Sequence, residues 1–95
     1  EAHGTGTQLG DAIEIQALKE VFSEKDFVKY SCALGSVKSN IGHADIAAGI
    51  MGLIKVILCL KNKTLVPHIG VQVDHQHRDL KDTPFYINTH LTPWK

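Results

Sequence analysis

Apolar residues near the start of the chain recur at helical spacing. One face of the predicted helix is formed by Ile13, Ala17, Leu18, Val21 and Phe22. Asp11, followed three positions later by Glu14, resembles a capping box, in which side chains satisfy free backbone N–H groups at a helix start. The pattern predicts a helix from about residue 12 to about residue 22, preceded by a loop rich in glycine and threonine.

Two further segments have the pattern of β-strands. Residues 30–37 form a short, largely apolar run, which predicts a buried strand that contains Cys32 as a small core residue. Residues 84–89 alternate with a period of two, and the alternation predicts a strand with Phe85, Ile87 and Thr89 on one side. A polar surface connection over residues 74–82 precedes this second strand.

The most apolar part of the chain is residues 44–60, where Asp45 and Lys55 are the only charged residues. The run is too short to span a membrane, and it contains Gly49 and Gly52, so no membrane span is expected. A helix that is apolar nearly all round is typical of a central, buried position. Loop, helix, strand, helix, loop and strand follow one another, which predicts an α/β fold.

Composition excludes several classes of protein. The 95 residues contain 10 Lys and Arg against 10 Asp and Glu, so the chain lacks the basic surface that nucleic-acid binding requires. Two cysteines cannot form a disulfide-rich scaffold. The first residues have neither an initiator methionine nor the pattern of a signal peptide. We therefore expect the chain to be a segment of a longer polypeptide.

The six histidines differ in their surroundings. His75 and His77 lie close together in a polar connection, but no third ligand completes a tetrahedral site, so no metal is expected. His3 and His43 each adjoin a glycine in a polar loop. His43 also precedes the apolar helix, whose positive N-terminus disfavours an imidazolium ion.

The same histidine allows two interpretations. His43 is either an ordinary core residue or a neutral imidazole whose N–H can stabilise a developing oxyanion. Lys38, in the predicted loop over residues 38–43, is either a surface lysine or a cation held near a carboxylate such as Glu14.

Two blocks of the sequence resemble the signatures of β-ketoacyl synthases. Residues 1–7, with Gly10-Asp11 and Glu14, are similar to the signature EAHGTGT…GDPxE. Residues 38–43, followed by residues 47–49, are similar to the block KSNIGH…AAG. The resemblance continues to Trp94 and is strongest to ketosynthase domains of modular polyketide synthases, with animal-type fatty acid synthase more distant. Ala12 stands where the signature has proline.

The resemblance implies a partial thiolase-like α/β fold, with residues 1–95 forming an incomplete piece of the C-terminal half of a ketosynthase domain. It implies catalytic roles for His3, His43, Lys38 and Glu14. It also implies that Thr5 and Thr7 contact the phosphopantetheine arm of an acyl carrier protein, which carries the substrate. No directly bound cofactor and no metal are implied.

The implied activity is decarboxylative Claisen condensation of an acyl-cysteine thioester with malonyl-carrier protein, in polyketide or fatty acid biosynthesis. The nucleophilic cysteine is absent from this segment, so the isolated segment is expected to be inactive. The implied partners are the acyl carrier protein and the remainder of the ketosynthase domain, in a cytoplasmic homodimer. Two alternatives stay open: a domain that decarboxylates without elongation, and a non-catalytic remnant that binds the carrier protein.

Overall fold

The computed structural model describes residues 1–22, 26–70 and 80–95. Its helices are α1 (Gln8–Phe22), α2 (Lys38–Ile41) and α3 (Ala48–Lys61), and its strands are β1 (Cys32–Leu34), β2 (Thr64–Leu65), β3 (Phe85–Ile87) and β4 (Thr92–Pro93). A 3-10 turn, Asp45–Ala47, leads into α3. His75, His77 and most of the predicted polar connection lie outside the described residues.

Helix α1 begins at Gln8, four residues before the predicted start. Thr7 supplies the cap, since its Oγ1 accepts the N–H of Gly10 at 3.1 Å. The Asp11 carboxylate accepts the N–H of Gly6 at 3.1 Å. The prediction that Asp11 caps the start of the helix is therefore wrong, because the hydroxyl of Thr7, one turn earlier, caps it instead.

The strands form two short pairs. β1 and β3 are parallel, with Cys32 opposite Phe85 and Leu34 opposite Ile87. Helices lie in the connection between them, as parallel pairing requires. β2 and β4 are antiparallel, with Thr64 opposite Pro93. This arrangement is the predicted α/β pattern.

Both predicted strands are shorter in the structure, and the predicted burial of Cys32 is wrong. Cys32 is exposed, because no described element covers its side of β1. Ile87 is only half-buried, and Thr89 is exposed beyond the end of β3. Asn88 is buried instead, and its amide donates to three carbonyl oxygens, those of Leu65, Val66 and His90. A buried polar side chain thus joins β2 to the segment after β3.

The hydrophobic interior of the described ranges is small. Its buried members are Cys59, Leu80 and Phe85. Phe85 packs edge-to-face against Phe22 at the end of α1, with 5.2 Å between ring centroids. This contact seats α1 beside the parallel strand pair.

Helix α3, which the pattern predicts at a central, buried position, is largely exposed among the described elements of this chain. Only Gly52 and Cys59 of α3 are buried. More than a third of the residue surface is exposed at Ile50, Met51, Leu53, Ile54, Ile57, Leu58 and Leu60. The described elements are too few to cover a helix that is apolar all round. No helix in the described ranges has both the length and the apolar character that a membrane crossing needs.

Candidate active site

The loop before α1 holds His3 through its backbone. The N–H groups of His3 and Gly4 donate to the two carboxylate oxygens of Glu14, at 2.6 and 2.9 Å. Glu14 lies in the second turn of α1, so these bonds fasten the loop to the helix. Hydrogen bonds to a charged acceptor are stronger than neutral ones, so the position of His3 is well defined.

A buried serine joins this loop to the corner that follows β1. Ser36 is 2% exposed. Its Oγ lies 3.3 Å from the carbonyl oxygen of His3, to which it donates, and accepts the N–H of Lys38 at 3.3 Å. Gly4 has φ of +48°, and a Cβ there would lie 2.7 Å from the Cβ of Ser36. Glycine at position 4 therefore permits the close approach of the loop and the corner.

Residues 38–43 were predicted to form a loop, but Lys38–Ile41 forms one helical turn. The turn places the Lys38 Nζ 3.5 Å from the Nδ1 of His3. A lysine ammonium group has donors only, so Nδ1 is the acceptor and the ring proton of His3 is assigned to Nε2. The Glu14 carboxylate, which was expected beside Lys38, binds the loop backbone.

His43 follows Gly42 in the loop after α2, with its side chain 45% exposed. Its Nδ1 accepts the N–H of Asp45 at 3.0 Å, which again assigns the ring proton to Nε2. Helix α3 begins only at Ala48, after the 3-10 turn. The first turn of α3 therefore lies further along the chain from His43 than the sequence predicted.

The two imidazole rings meet edge-to-face, with 5.7 Å between their centroids. Within the described ranges, no protein group hydrogen-bonds the Nε2 of His3 or of His43. His3 and Lys38 also line an open cleft of about 360 Å³ against the small residues Ala48, Gly49 and Gly52. Two free N–H donors beside a cation suit the stabilisation of negative charge on a carbonyl oxygen.

The two threonines expected to bind a carrier arm lie at the surface beside this site. Thr5 and Thr7 are exposed, with 3.4 Å between their hydroxyl oxygens. The Thr7 oxygen also accepts the Gly10 N–H, and either threonine hydroxyl can be the donor in the contact between them. The structure thus places both hydroxyls on the loop that carries His3.

An ion pair between Lys55 and Glu1, next to the His3 loop, was not predicted from the sequence. The Lys55 Nζ lies 2.7 Å from a carboxylate oxygen of Glu1, and these side chains are only 17% and 15% exposed. The other carboxylate oxygen of Glu1 accepts the N–H of Val37. The sequence did hold a signal for this pair, since Lys55 is a single charge within an apolar helix and a buried charge requires a partner.

His68 was also missed. Its Nδ1 accepts the N–H of Ser36 at 3.1 Å. Partial burial and the ammonium group of Lys55 hold the pKa of His68 below its ordinary value. Its position in a polar connection gave no signal, because the contact with Ser36 spans 32 residues.

In the part of the chain that the structure describes, no group of three or more His, Cys, Asp or Glu side chains could hold a metal ion. The histidine pair weighed for a metal in the sequence lies outside that part. The free cysteines are Cys32 on β1 and Cys59 on α3, and neither lines the cleft beside His3.

Comparison with known proteins decides the family. The family model "Beta-ketoacyl synthase, C-terminal domain" matches residues 1–72. The chain belongs to the β-ketoacyl synthase family. This synthase segment is 52% identical over 95 residues to polyketide synthase PksL of Bacillus subtilis strain 168. It is 47% identical over 96 residues to polyketide synthase ThaG of Burkholderia thailandensis.

Solved ketosynthases superimpose on the whole β-ketoacyl synthase segment. The ketosynthase from module 6 of the bacillaene synthase from Bacillus subtilis 168 gives a TM-score of 0.92 at 52% identity. Ketosynthase twelve from the bacillaene polyketide synthase in Bacillus amyloliquefaciens gives 0.93 at 41% identity. The segment covers 17% of each of these chains, and 2% of each of the two polyketide synthases above.

These likenesses confirm the predicted family and the predicted partial, thiolase-like α/β fold. They also confirm that the relatives are ketosynthases of polyketide synthases. The roles of His3, His43, Lys38 and Glu14, and those of the two threonines, stay predictions.

Proposed function

We propose that this chain supplies the histidine side of the active site in a ketosynthase domain that extends a polyketide by decarboxylative condensation. The observation that carries the proposal is the pair of Nε2–H donors on His3 and His43, on rings 5.7 Å apart and with no protein partner in the described ranges. The identity to polyketide synthases supports the substrate class.

In the first step, a malonyl thioester on the carrier protein loses carbon dioxide. The bond to the carboxylate carbon breaks, and its electron pair passes through the α-carbon to the thioester oxygen, giving an enolate. His3 and His43 donate their Nε2–H groups to that oxygen, and the nearby Lys38 ammonium group favours the negative charge. Donors aimed at a developing oxyanion each contribute roughly 10²-fold or more to the rate.

In the second step, the α-carbon of the enolate attacks the carbonyl carbon of an acyl group held on a cysteine. A carbon–carbon bond forms, the carbon–sulfur bond breaks, and the cysteine leaves as a thiolate that takes up a proton. We assign that nucleophile to another part of the domain, because neither Cys32 nor Cys59 lines the cleft beside His3.

Thr5 and Thr7 are proposed to bind the phosphopantetheine arm, which is rich in amide groups. Both hydroxyls are exposed on the same loop as His3, and a hydroxyl both donates and accepts. Glu14 acts on the same loop through its bonds to the backbone of His3 and Gly4, rather than by contacting the reacting atoms.

The exposed apolar side chains of α3 support packing against the remainder of a ketosynthase domain, of which residues 1–95 are one piece. The acyl carrier protein is the proposed substrate-bearing partner. We propose a cytoplasmic homodimer as the assembly. Polyketide biosynthesis is the proposed pathway class, and fatty acid biosynthesis is the more distant alternative.

The deciding experiment measures malonyl-carrier-protein decarboxylation by a complete ketosynthase domain that contains this segment. His3→Ala and His43→Ala are each expected to lower kcat by about 10²-fold or more, because each removes one oxyanion donor. His90→Ala is the matched control, since His90 is exposed and contacts Thr89. Unchanged decarboxylation in both active-site variants would remove the assigned roles.

A second experiment addresses the nucleophile. The isolated 95 residues, incubated with radiolabelled acyl carrier protein, are expected to form no stable acyl thioester. A thioester on Cys32 or Cys59 contradicts this expectation. In the complete domain, decarboxylation without chain extension identifies a non-elongating domain instead of a condensing one.

A further inference from the structure

His68 is fixed at both its ring and its backbone. Its Nδ1 accepts the N–H of Ser36 at 3.1 Å, and the hydroxyl oxygen of Ser39 lies 3.4 Å from the same nitrogen. Its own N–H donates to the carbonyl oxygen of the buried Asn88 at 2.7 Å. The imidazole is therefore a built part of the corner between β1 and α2, and not a solvated loop residue.

Ser36 links this ring to the proposed active site through hydrogen bonds. Its hydroxyl donates to the carbonyl oxygen of His3 and accepts the N–H of Lys38, each at 3.3 Å. Ser36 is itself 2% exposed, so water cannot easily replace these partners. The Nδ1 acceptor of His68 is thus connected to His3 and to Lys38 through Ser36, by two successive hydrogen bonds in each case.

We propose that His68 is a positioning residue, whose unprotonated Nδ1 holds the Ser36 backbone and thereby keeps His3 and Lys38 in contact. The activity part of this inference rests on the proposed function, whereas the geometric part does not. No contact between His68 and the substrate is required.

The charges around His68 favour the neutral ring that this role needs. Burial and the Lys55 ammonium group lower its pKa, and the Glu1 and Asp11 carboxylates oppose them with smaller effects. A proton on Nδ1 would set that N–H against the N–H of Ser36. The corner would then lose its acceptor.

Two substitutions separate the acceptor from the bulk of the side chain. His68→Asn keeps an acceptor, because the amide oxygen can occupy the place of Nδ1. His68→Leu has similar volume and no acceptor. His90→Leu is the control, since it makes the same chemical change at an exposed histidine.

In the complete domain, His68→Leu is expected to lower kcat for malonyl-carrier-protein decarboxylation by about tenfold or more, with KM within about twofold, because small misplacements of catalytic groups are costly. His68→Asn is expected to retain kcat within about threefold. Full kcat in His68→Leu, or equal losses in both variants, overturns the proposal. If His68→Leu does not fold, His68→Ala takes its place with the same expectation.

Crystal structures of the same variants give a readout that needs no turnover. In His68→Leu we expect the 3.3 Å contact from Ser36 to His3 and the 3.5 Å contact from Lys38 to His3 to lengthen, and in His68→Asn to persist. Unchanged contacts in His68→Leu contradict the positioning role. An inactive unsubstituted domain would count against the proposed function, and this geometry would still decide the role of His68.

Discussion

His3 and His43 lie side by side but are held by different means. His3 is fixed by residues from three separate parts of the chain, namely Glu14 on α1, Ser36 after β1 and Lys38 on α2. The ring nitrogen of His43 is held by one backbone N–H only two residues further on, that of Asp45. One histidine depends on tertiary contacts, whereas the other depends on its own turn.

Both arrangements have the same chemical result. An N–H donor faces Nδ1 in each ring, so each Nε2 carries the proton and points away from its support. The difference lies in what disturbs them. Substitutions distant in sequence should affect the site through His3, whereas the His43 turn should tolerate changes in the side chain of Asp45.

Among substitutions that leave both histidines in place, the largest effect is expected from Glu14→Ala, which removes the acceptor of two backbone N–H groups in the His3 loop. We expect kcat for malonyl-carrier-protein decarboxylation to fall by about 10²-fold in the complete domain, because a catalytic group loses its placement. Glu20→Ala is the control, since it removes an exposed carboxylate from the same helix. Equal activity in the two variants would show that the loop does not need Glu14.

Gly4→Ala and Gly6→Ala test the close approach of loop and corner by their effect on stability. Both glycines have positive φ, +48° and +79°, but only a Cβ at position 4 meets Ser36. Positive φ alone costs about 1–2 kcal/mol, and the added overlap costs about 1–3 kcal/mol more. Urea unfolding should therefore show a larger loss for Gly4→Ala, and a larger loss for Gly6→Ala contradicts the packing described.

The pKa of His68 sets a pH dependence of stability. The unfolded chain binds a proton on this ring near the ordinary histidine value of about 6.5, whereas the folded chain does so only at lower pH. The unfolded state then binds more protons, so the free energy of unfolding falls as the pH drops from about 6.5 through the folded pKa. The contribution is complete above about pH 6.5.

Urea unfolding of the complete domain between about pH 5 and about pH 8 measures this slope, and His68→Asn should reduce it. His90→Asn serves as the control, because His90 is exposed. An identical slope in His68→Asn and the unsubstituted protein would show that His68 takes up its proton equally in the folded and unfolded states.

The smallest effect is expected from Asp45→Gly. Asp45 has φ of +46°, which glycine adopts without strain, and its backbone N–H to His43 is retained. The lost carboxylate oxygen lies 3.7 Å from Nδ1 and is not needed to place the ring. We expect decarboxylation within about threefold of the unsubstituted domain, a range that excludes loss of an oxyanion donor. A tenfold loss would assign the carboxylate a role.

Local sequence pattern predicted α1, β1, α3 and β3 in their correct order but missed α2, β2 and β4. The roles of the site residues were taken from the resemblance to β-ketoacyl synthases and stay predictions. The spacing of apolar residues identified α1 and α3, and the alternation after Pro84 identified β3. The start of α1 was missed because a threonine and an aspartate both offered a cap, and only the fold determines which one is used.

Contacts between distant residues could not be predicted. The exposed state of α3 depends on how many neighbours are present, which its own pattern does not encode. Ser36 and His68 lie in segments whose composition is ordinary, and they meet only once β1 and β3 have paired. Glu14 was expected beside Lys38, but its carboxylate accepts two backbone N–H groups of the His3 loop, a contact that its own sequence context does not encode.

The central claim is that His3 and His43 both present an Nε2–H donor, despite their different supports. Long-range ¹H–¹⁵N correlation spectra of the complete domain, labelled at histidine nitrogens and assigned with His3→Ala and His43→Ala, test it directly. In the folded domain we expect each ring to carry its proton on Nε2 and to have an unprotonated Nδ1 that accepts a hydrogen bond. A proton on Nδ1 of either ring, in the other neutral tautomer or in an imidazolium ion, would contradict the account.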